Sequence, residues 1–223
     1  MGNFTICVPD KVDIDKCKAQ YNGFVGNLVL YDMCAKYPHH TDADSVHSKI
    51  WLIGSAYSAS IERNRAGHSK EKIYEDTVRM IIERGDEIDG KISALHPIAD
   101  YESMAQALGV HMLLMDLFKR TTGLNKRSLA SKYLHFHRPD VFYIYDSYTN
   151  EALMQRVKGS GNLFGERFDT EYGKFCVKAH EMRNKITEKH EDVLTLREFD
   201  TLLQNLYTKD KRRFLGYEHN KHS

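Results

Sequence analysis

One segment of the chain carries residues whose types and spacing could do chemistry. It spans residues 121–153 and runs TTGLNKRSLASKYLHFHRPDVFYIYDSYTNEAL. A glycine turn at Gly123 joins two predicted helices, and two cations, Lys126 and Arg127, follow shortly after it. Asp146 stands at the predicted start of the next helix, where the positive end of the helix dipole stabilises an anionic carboxylate. The segment therefore predicts a basic turn that can bind an anion and a carboxylate that can stabilise a developing cation.

The same segment resembles the helix-hairpin-helix DNA glycosylase superfamily. Residues 123–125, Gly-Leu-Asn, resemble the hairpin of that family; residues 128–130, Ser-Leu-Ala, resemble its helix opening; and Tyr145 with Asp146 resembles its catalytic-aspartate motif. The resemblance implies an all-α fold of two helical lobes around the hairpin, in one unit over residues 1–223. It also implies DNA as the partner and Asp146 as the catalytic residue. Asn125 replaces the usual second glycine, and asparagine tolerates a positive φ better than most residues.

The hairpin register bears on the kind of reaction. Aligned through Ala130, the position of the family's reactive amine is Ser128; aligned through Gly123, it is Arg127. Neither side chain can form a Schiff base, which a bifunctional glycosylase/lyase needs. The resemblance thus implies a monofunctional DNA glycosylase, without lyase activity, that leaves an abasic site. Two nearby lysines, Lys126 and Lys132, keep the lyase alternative open.

The substrate implied by the resemblance is a damaged or modified base, in DNA repair or, for a modified base of phage DNA, in defence. Cleavage of an N-glycosidic bond passes through a cation-like state of the sugar. The carboxylate of Asp146 would either stabilise that cation or take a proton from the attacking water. An aspartate that begins a helix is also an ordinary N-cap. A non-catalytic helical nucleic-acid-binding protein and a helical interaction module therefore remain alternatives.

The predicted contacts with DNA are of two kinds. Backbone N–H groups at a turn into a helix bind phosphate without regard to base sequence, and the predicted DNA-binding residues are Gly123, Asn125, Lys126, Arg127 and Lys132. A base that leaves the duplex is held in a pocket, usually between aromatic faces. Tyr143 and Tyr145 flank Asp146 and rank first for that pocket, and Trp51, Tyr57 and Tyr148 are further candidates. Trp51 and Tyr57 lie on or beside the apolar face of their predicted helix, which favours packing roles for both.

The elements that must position these residues are predicted to be eight or so helices in a nearly all-α chain. Val46, Ile50 and Ile53 recur at helical spacing in a helix capped by Asp44 or Ser45. Residues 4–8 are predicted to be extended, residues 64–69 a loop, and residues 209–223 a frayed tail. The helices are predicted over residues 25–36, 44–63, 70–84, 98–118, 127–137, 146–157, 171–190 and 196–208. A shorter helix is predicted after residue 84, ending at residue 95.

Composition limits the classes of protein. The 223 residues are 41% hydrophobic and 28% charged, which excludes a largely disordered chain. Lysine and arginine number 32 and aspartate and glutamate 31, so the formal net charge is +1. Any nucleic-acid site must therefore come from local clustering of charge. No apolar run approaches the roughly 18 residues that a membrane span needs.

Metals and cofactors are not expected from the sequence. The 12 histidines form no recognised ligand spacing, such as His-Glu-x-x-His. The cysteines form no Cys-x-x-Cys pair, and the C-terminal half contains only Cys176, so an iron–sulfur cluster is not expected. Because no secretory leader is recognised, we expect reduced thiols and a cytoplasmic protein.

Overall fold

The computed structural model describes residues 3–20, 25–63 and 69–214, and these residues confirm the predicted all-α fold. They form ten helices and two short strands. In chain order the elements are β1 (Thr5–Ile6), α1 (Lys11–Gln20), α2 (Val25–Lys36), α3 (Ala43–Ala56), α4 (Lys70–Glu83), α5 (Gly85–Ser93), α6 (Tyr101–Thr122), α7 (Arg127–His137), α8 (Ser147–Arg156), β2 (Val157–Lys158), α9 (Thr170–His190) and α10 (Leu196–Phe214).

Two clusters of buried apolar side chains hold the helices together. The first joins α2 to α7, and the second joins α1, α8, α9 and α10. The long helix α6 belongs to both, because Val110 and Leu114 pack in the first cluster while Met104 and Leu108 pack in the second. Helix α6 therefore buries apolar side chains in both clusters and connects them.

The N-terminal segment is fixed to the second cluster. β1 pairs antiparallel with β2, with Thr5 opposite Lys158 and Ile6 opposite Val157. The extended segment predicted for residues 4–8 is thus a strand over part of its length. Helix α1 was not predicted, because its polar sequence buries only Ile14 and Cys17.

Helix ends differ from the predictions where local capping decides them. The cap of α3 is Asp42, whose side chain accepts a hydrogen bond from the Ser45 N–H, so neither predicted cap is right. The helix ends at Ala56 rather than at residue 63, and the chain turns at Ser58, whose φ is 53°. An L-residue enters this left-handed region only occasionally, so the turn breaks the helix sharply. The predicted loop at 64–69 lies outside the described residues except for residue 69, the N-cap of α4.

The C-terminal helix is longer than predicted. α10 continues to Phe214, so residues 209–214 are not a frayed tail; the rest of the predicted tail lies outside the described residues. Asp210 forms a paired contact with Arg156, whose Nη1 and Nη2 lie 2.8 and 2.9 Å from the two carboxylate oxygens. Lys209 Nζ lies 2.9 Å from Asp13 Oδ2 on α1. These ion pairs attach the last turns of the helix to its neighbours.

None of the described helices is both long enough and apolar enough to cross a membrane.

Candidate active site

A cavity of about 940 Å³ opens between the two clusters, and the segment singled out in the sequence lines one side of it. The other lining residues come from one face of α10 and from the turn after α3. The lining residues comprise 56–60, Arg63, 124–129, Lys132, 145–148, Arg197, Asp200, Gln204, Tyr207 and Thr208.

The hairpin between α6 and α7 presents backbone to this cavity. Gly123 ends α6 with φ 73°, a left-handed conformation that suits glycine, and a side chain built there would meet open space. Lys126 precedes α7 and provides no side-chain cap, and the first turn of α7 contains no acidic residue. The first N–H groups of α7 therefore lack a side-chain acceptor at the cavity edge. Asn125 does not have a positive φ, so its tolerance of that region is not used.

Asp146 occupies the predicted helix start and uses one oxygen to cap it. Oδ1 accepts hydrogen bonds from the N–H groups of Tyr148 and Thr149 at 3.0 and 2.9 Å, and the Thr149 hydroxyl returns a capping-box contact. Oδ2 takes no part in the cap and lies 3.5 Å from Lys132 Nζ. The side chain is 23% exposed at the cavity. The cap thus fixes the orientation of the carboxylate and leaves one oxygen available.

Lys132 brings a buried amine to Asp146. Its side chain is only 3% exposed, and Nζ donates to Ser128 Oγ at 2.8 Å, one helical turn earlier on the same face of α7. The backbone oxygen of Tyr145 lies 3.4 Å from the same amine. Burial lowers the pKa of Lys132, although the nearby carboxylates of Asp146 and Asp200 oppose the shift. An amine therefore reaches the site even though Ser128 itself has none.

The polypeptide that leads into Asp146 is locked onto α7. The Tyr145 N–H donates to Ser131 Oγ at 3.0 Å, and the Ser131 hydroxyl in turn donates to the backbone oxygen of Ser128 at 3.1 Å. Ser131 is fully buried, as the small size of the residue allows. This contact holds the start of α8 at a fixed distance from the face of α7 that carries Lys132.

Arg127 and Lys126, both predicted to bind DNA, line the cavity and have partners within the protein. Arg127 Nε and Nη2 contact both oxygens of Asp169 at 2.5 and 2.8 Å, and Nη1 lies 2.6 Å from Glu171. Lys126 Nζ donates to the backbone oxygens of Arg63 and Ser60 at 2.7 and 3.4 Å. Both cations are thus engaged inside the protein, and the charge of Arg127 is balanced by two carboxylates. The sequence showed the cations but not their partners.

The aromatic predictions divide. Tyr145 lines the cavity, and the Arg127 guanidinium lies 5.5 Å from its ring centre. Tyr143 does not: it is buried in the second cluster, where its hydroxyl accepts from Arg183 Nη1 at 3.1 Å. Trp51 is half exposed on α3 and does not line the cavity either.

Tyr148 and Tyr207 form an aromatic pair at the cavity. Their rings stack with centres 4.7 Å apart, and Tyr148 is 58% exposed. Tyr57, predicted to pack in the core, packs against the first cluster and also lines the cavity. Tyr207 was not predicted, because it lies far from the recognised segment.

The wall formed by α10 contains the other functional groups that the sequence did not reveal. Arg197 Nη1 and Gln204 Nε2 both donate to Asp200 Oδ2 at 2.9 Å. Burial is the main cause that raises the pKa of Asp200 to about 6, with Asp146 acting in the same direction against Arg197 and Lys132. The spacing of Arg197, Asp200, Gln204 and Tyr207 places them on one helical face, and this spacing was the available signal.

No group of three or more histidine, cysteine, aspartate or glutamate side chains in the described residues is arranged to hold a metal ion. Comparison of the chain with protein-family models, with curated proteins and with solved structures found no match.

Proposed function

We propose that this chain is a DNA glycosylase that hydrolyses the N-glycosidic bond of a damaged or modified base and leaves an abasic site. The observation that carries the proposal is the capped carboxylate of Asp146, with Oδ2 free of the cap and 3.5 Å from the buried amine of Lys132, at the wall of a 940 Å³ cavity. That volume lies in the range of small-molecule sites, so a base with its sugar can fit. The hairpin resemblance supplies the substrate class.

The residues of the cavity suit each part of the reaction. The ring of Tyr148, which is 58% exposed at the cavity and stacked on Tyr207, offers an aromatic surface for a base taken out of the stack. The bond between C1′ and the base nitrogen breaks with its electron pair going to the base, and Asp146 stabilises the cation that forms at the sugar. Water then bonds to C1′ and gives its proton to Asp146. The uncapped first turn of α7 would bind a phosphate beside the target.

A second candidate activity is a combined glycosylase and lyase, which the position of Lys132 favours. Its lowered pKa makes a neutral, nucleophilic amine more accessible than in an ordinary lysine. Against this, the amine is almost fully buried beneath Ser128 and the Tyr145 backbone oxygen, so it must move before it can attack C1′. We therefore keep hydrolysis as the principal proposal.

DNA is the proposed partner and the cytoplasm the proposed compartment. Of the four thiols, Cys17, Cys34 and Cys176 are buried and all four are unpaired, which suits a reducing environment. The target base is proposed as a class only: a damaged base in repair, or a bulky modified base of phage DNA in defence.

The experiment compares two aspartates that cap helices in the same way. Asp146 and Asp100 each accept hydrogen bonds at a helix start and complete a capping box, but only Asp146 lines the cavity. Purified variants are incubated with oligonucleotides that carry deaminated, oxidised, alkylated or bulky modified bases, and abasic sites are quantified after hot alkali. Asp146→Asn should lose at least a hundredfold of the excision rate, because the charge is gone while the cap remains.

Asp100→Asn is the matched control and should excise at the wild-type rate with a similar melting temperature. Equal rates for Asp146→Asn and wild type would overturn the catalytic role of Asp146. DNA binding without excision of any base in the panel would favour the non-catalytic nucleic-acid-binding protein instead.

A further inference from the structure

Asp200 lies on the cavity wall and has no part in the proposed reaction. It is only 2% exposed. Oδ2 accepts hydrogen bonds from Arg197 and Gln204, whereas Oδ1 is buried and has no hydrogen-bond partner among the described residues. A buried polar atom without a partner is uncommon and calls for a functional or electrostatic explanation. A carboxyl group satisfied at one oxygen alone can exist with or without a proton on the other.

Charged, titratable and polar groups surround Asp200 from four places in the fold. Arg197 and Gln204 share its helix, and Lys132 of α7, Asp146 at the start of α8 and Tyr57 after the end of α3 line the same cavity. With both carboxylates ionised, the two cations at this wall are balanced. When Asp200 is neutral, one positive charge is left in excess beside Lys132 and Asp200, whose side chains are almost fully buried. A buried excess charge is costly, so the ammonium group of Lys132 becomes less favourable.

We propose that Asp200 is a positioning residue of this site that retains the proton on the Lys132 amine, and that uptake of a proton by Asp200 makes that amine easier to deprotonate. The inference rests on the proposed function only for its consequence, which is the charge presented to the reacting sugar. While Asp200 is ionised, its charge favours the ammonium form of Lys132, which is bound to Ser128 and beside Asp146. No proton passes between the two groups: each exchanges its own proton with solvent, and the charge on Asp200 decides how easily Lys132 loses one.

The pKa shifts of the two groups agree with this coupling. Burial is the largest cause for both: it raises the pKa of Asp200 and lowers the pKa of Lys132. Each also acts on the other, since Lys132 lowers the pKa of Asp200 and Asp200 raises that of Lys132. Of the three acceptors around the amine, Ser128 Oγ and the Tyr145 backbone oxygen carry no net charge, so the carboxylates decide how firmly the proton is held.

The test measures the titration of Lys132 directly, without DNA. Lysine labelled with ¹³C at Cε is incorporated, the signal of Lys132 is assigned by its loss in Lys132→Met, and its chemical shift is followed with pH. In Asp200→Asn the midpoint should fall by about one pKa unit, a tenfold increase in neutral amine at a fixed pH. Asp210→Asn, which changes an aspartate of the same helix outside the cavity, should leave the midpoint unchanged. An unchanged midpoint in Asp200→Asn overturns the inference.

A second measurement on the wild-type chain covers the case in which Asp200→Asn does not fold. The Cε shift of Lys132 should show a small additional step at the pH where the ¹³Cγ signal of Asp200 titrates, expected near pH 6. Absence of that step overturns the inference independently of any variant. Since neither experiment contains DNA, a chain that excises no base can still show the coupling, and an active enzyme can lack it.

Discussion

Replacement of Arg127 by methionine is expected to destabilise the fold strongly. Asp169, the partner of Arg127, is 7% exposed in its side chain and caps α9 by accepting from the Tyr172 N–H at 2.7 Å. Removal of the guanidinium leaves this carboxylate buried and without its cation. Breaking one side of a buried pair typically costs about 3–5 kcal/mol. For a domain of this size, that lowers the melting temperature by roughly 6 to 20 °C.

The assay is urea or thermal unfolding followed by circular dichroism, with two further variants. Asp169→Asn added to Arg127→Met should recover much of the loss, because asparagine keeps the cap and removes the unpaired charge. Arg79→Met is the matched control: its partner Asp76 is exposed, so the change should stay below about 1 kcal/mol. A stable Arg127→Met that binds DNA less tightly, with a lower salt slope, would refute this reasoning and restore Arg127 as a phosphate contact.

The same pair also predicts a dependence on pH. Burial raises the pKa of Asp169, but hydrogen bonds from Arg127 and the Tyr172 N–H outweigh it, so the net pKa is lowered. A carboxyl group whose pKa is lowered by folding stabilises the fold above its unfolded pKa and loses that contribution as the pH falls through its folded pKa. The difference in the free energy of unfolding between wild type and the Arg127→Met, Asp169→Asn double variant should therefore become smaller as the pH falls.

Two further predictions concern the kind of reaction and the binding of DNA. If the enzyme hydrolyses the bond, borohydride should trap little covalent protein–DNA adduct. Efficient trapping that is lost in Lys132→Gln but kept in Lys126→Gln would establish the lyase activity instead. Tyr148→Ala should weaken the Kd for DNA by about tenfold, since stacking of a base on an aromatic ring contributes about 1–3 kcal/mol, while Tyr148→Phe should bind as wild type. Equal affinity of Tyr148→Ala and wild type in fluorescence anisotropy would exclude stacking on this ring.

The helices could be predicted where local signals agree. α7 begins and ends at the predicted residues, Arg127 and His137, because the glycine turn precedes it and Pro139 follows. Asp146 was predicted at a helix start and caps α8 there. The end of α3 could not be predicted from local sequence, because Ser58 adopts a left-handed conformation that is uncommon for serine. Residues 57–60 of this turn line the cavity.

The candidate site could be predicted only in the part that is contiguous in sequence. Residues 121–153 supply the hairpin, Lys132 and Asp146, and the resemblance pointed to them. Asp200 and Gln204 come from a helix that reaches the cavity through the packing of α10 on α8. Periodicity showed that these polar residues share a face, but it could not show that the face meets Asp146 rather than solvent. The position of this face at the cavity is set by long-range packing, which could not be predicted from a single sequence.

The cations at and just before the start of α7 contact different groups, and these contacts bear on how the protein would bind DNA. Arg127 neutralises Asp169 and Glu171, Lys126 bonds to backbone oxygens, and Lys132 lies buried beside Asp146. The cations near the hairpin are thus used for stability and for the site. In the proposed complex with DNA, the uncapped N–H groups of α7 would offer a phosphate partial rather than full positive charge, and the exposed Lys119 and Arg120 at the end of α6 are the full charges nearest in sequence. Backbone N–H contacts of this kind would fix the position of a DNA strand while releasing few counterions, so we expect the proposed DNA binding to depend more on stacking and on the cavity than on net charge.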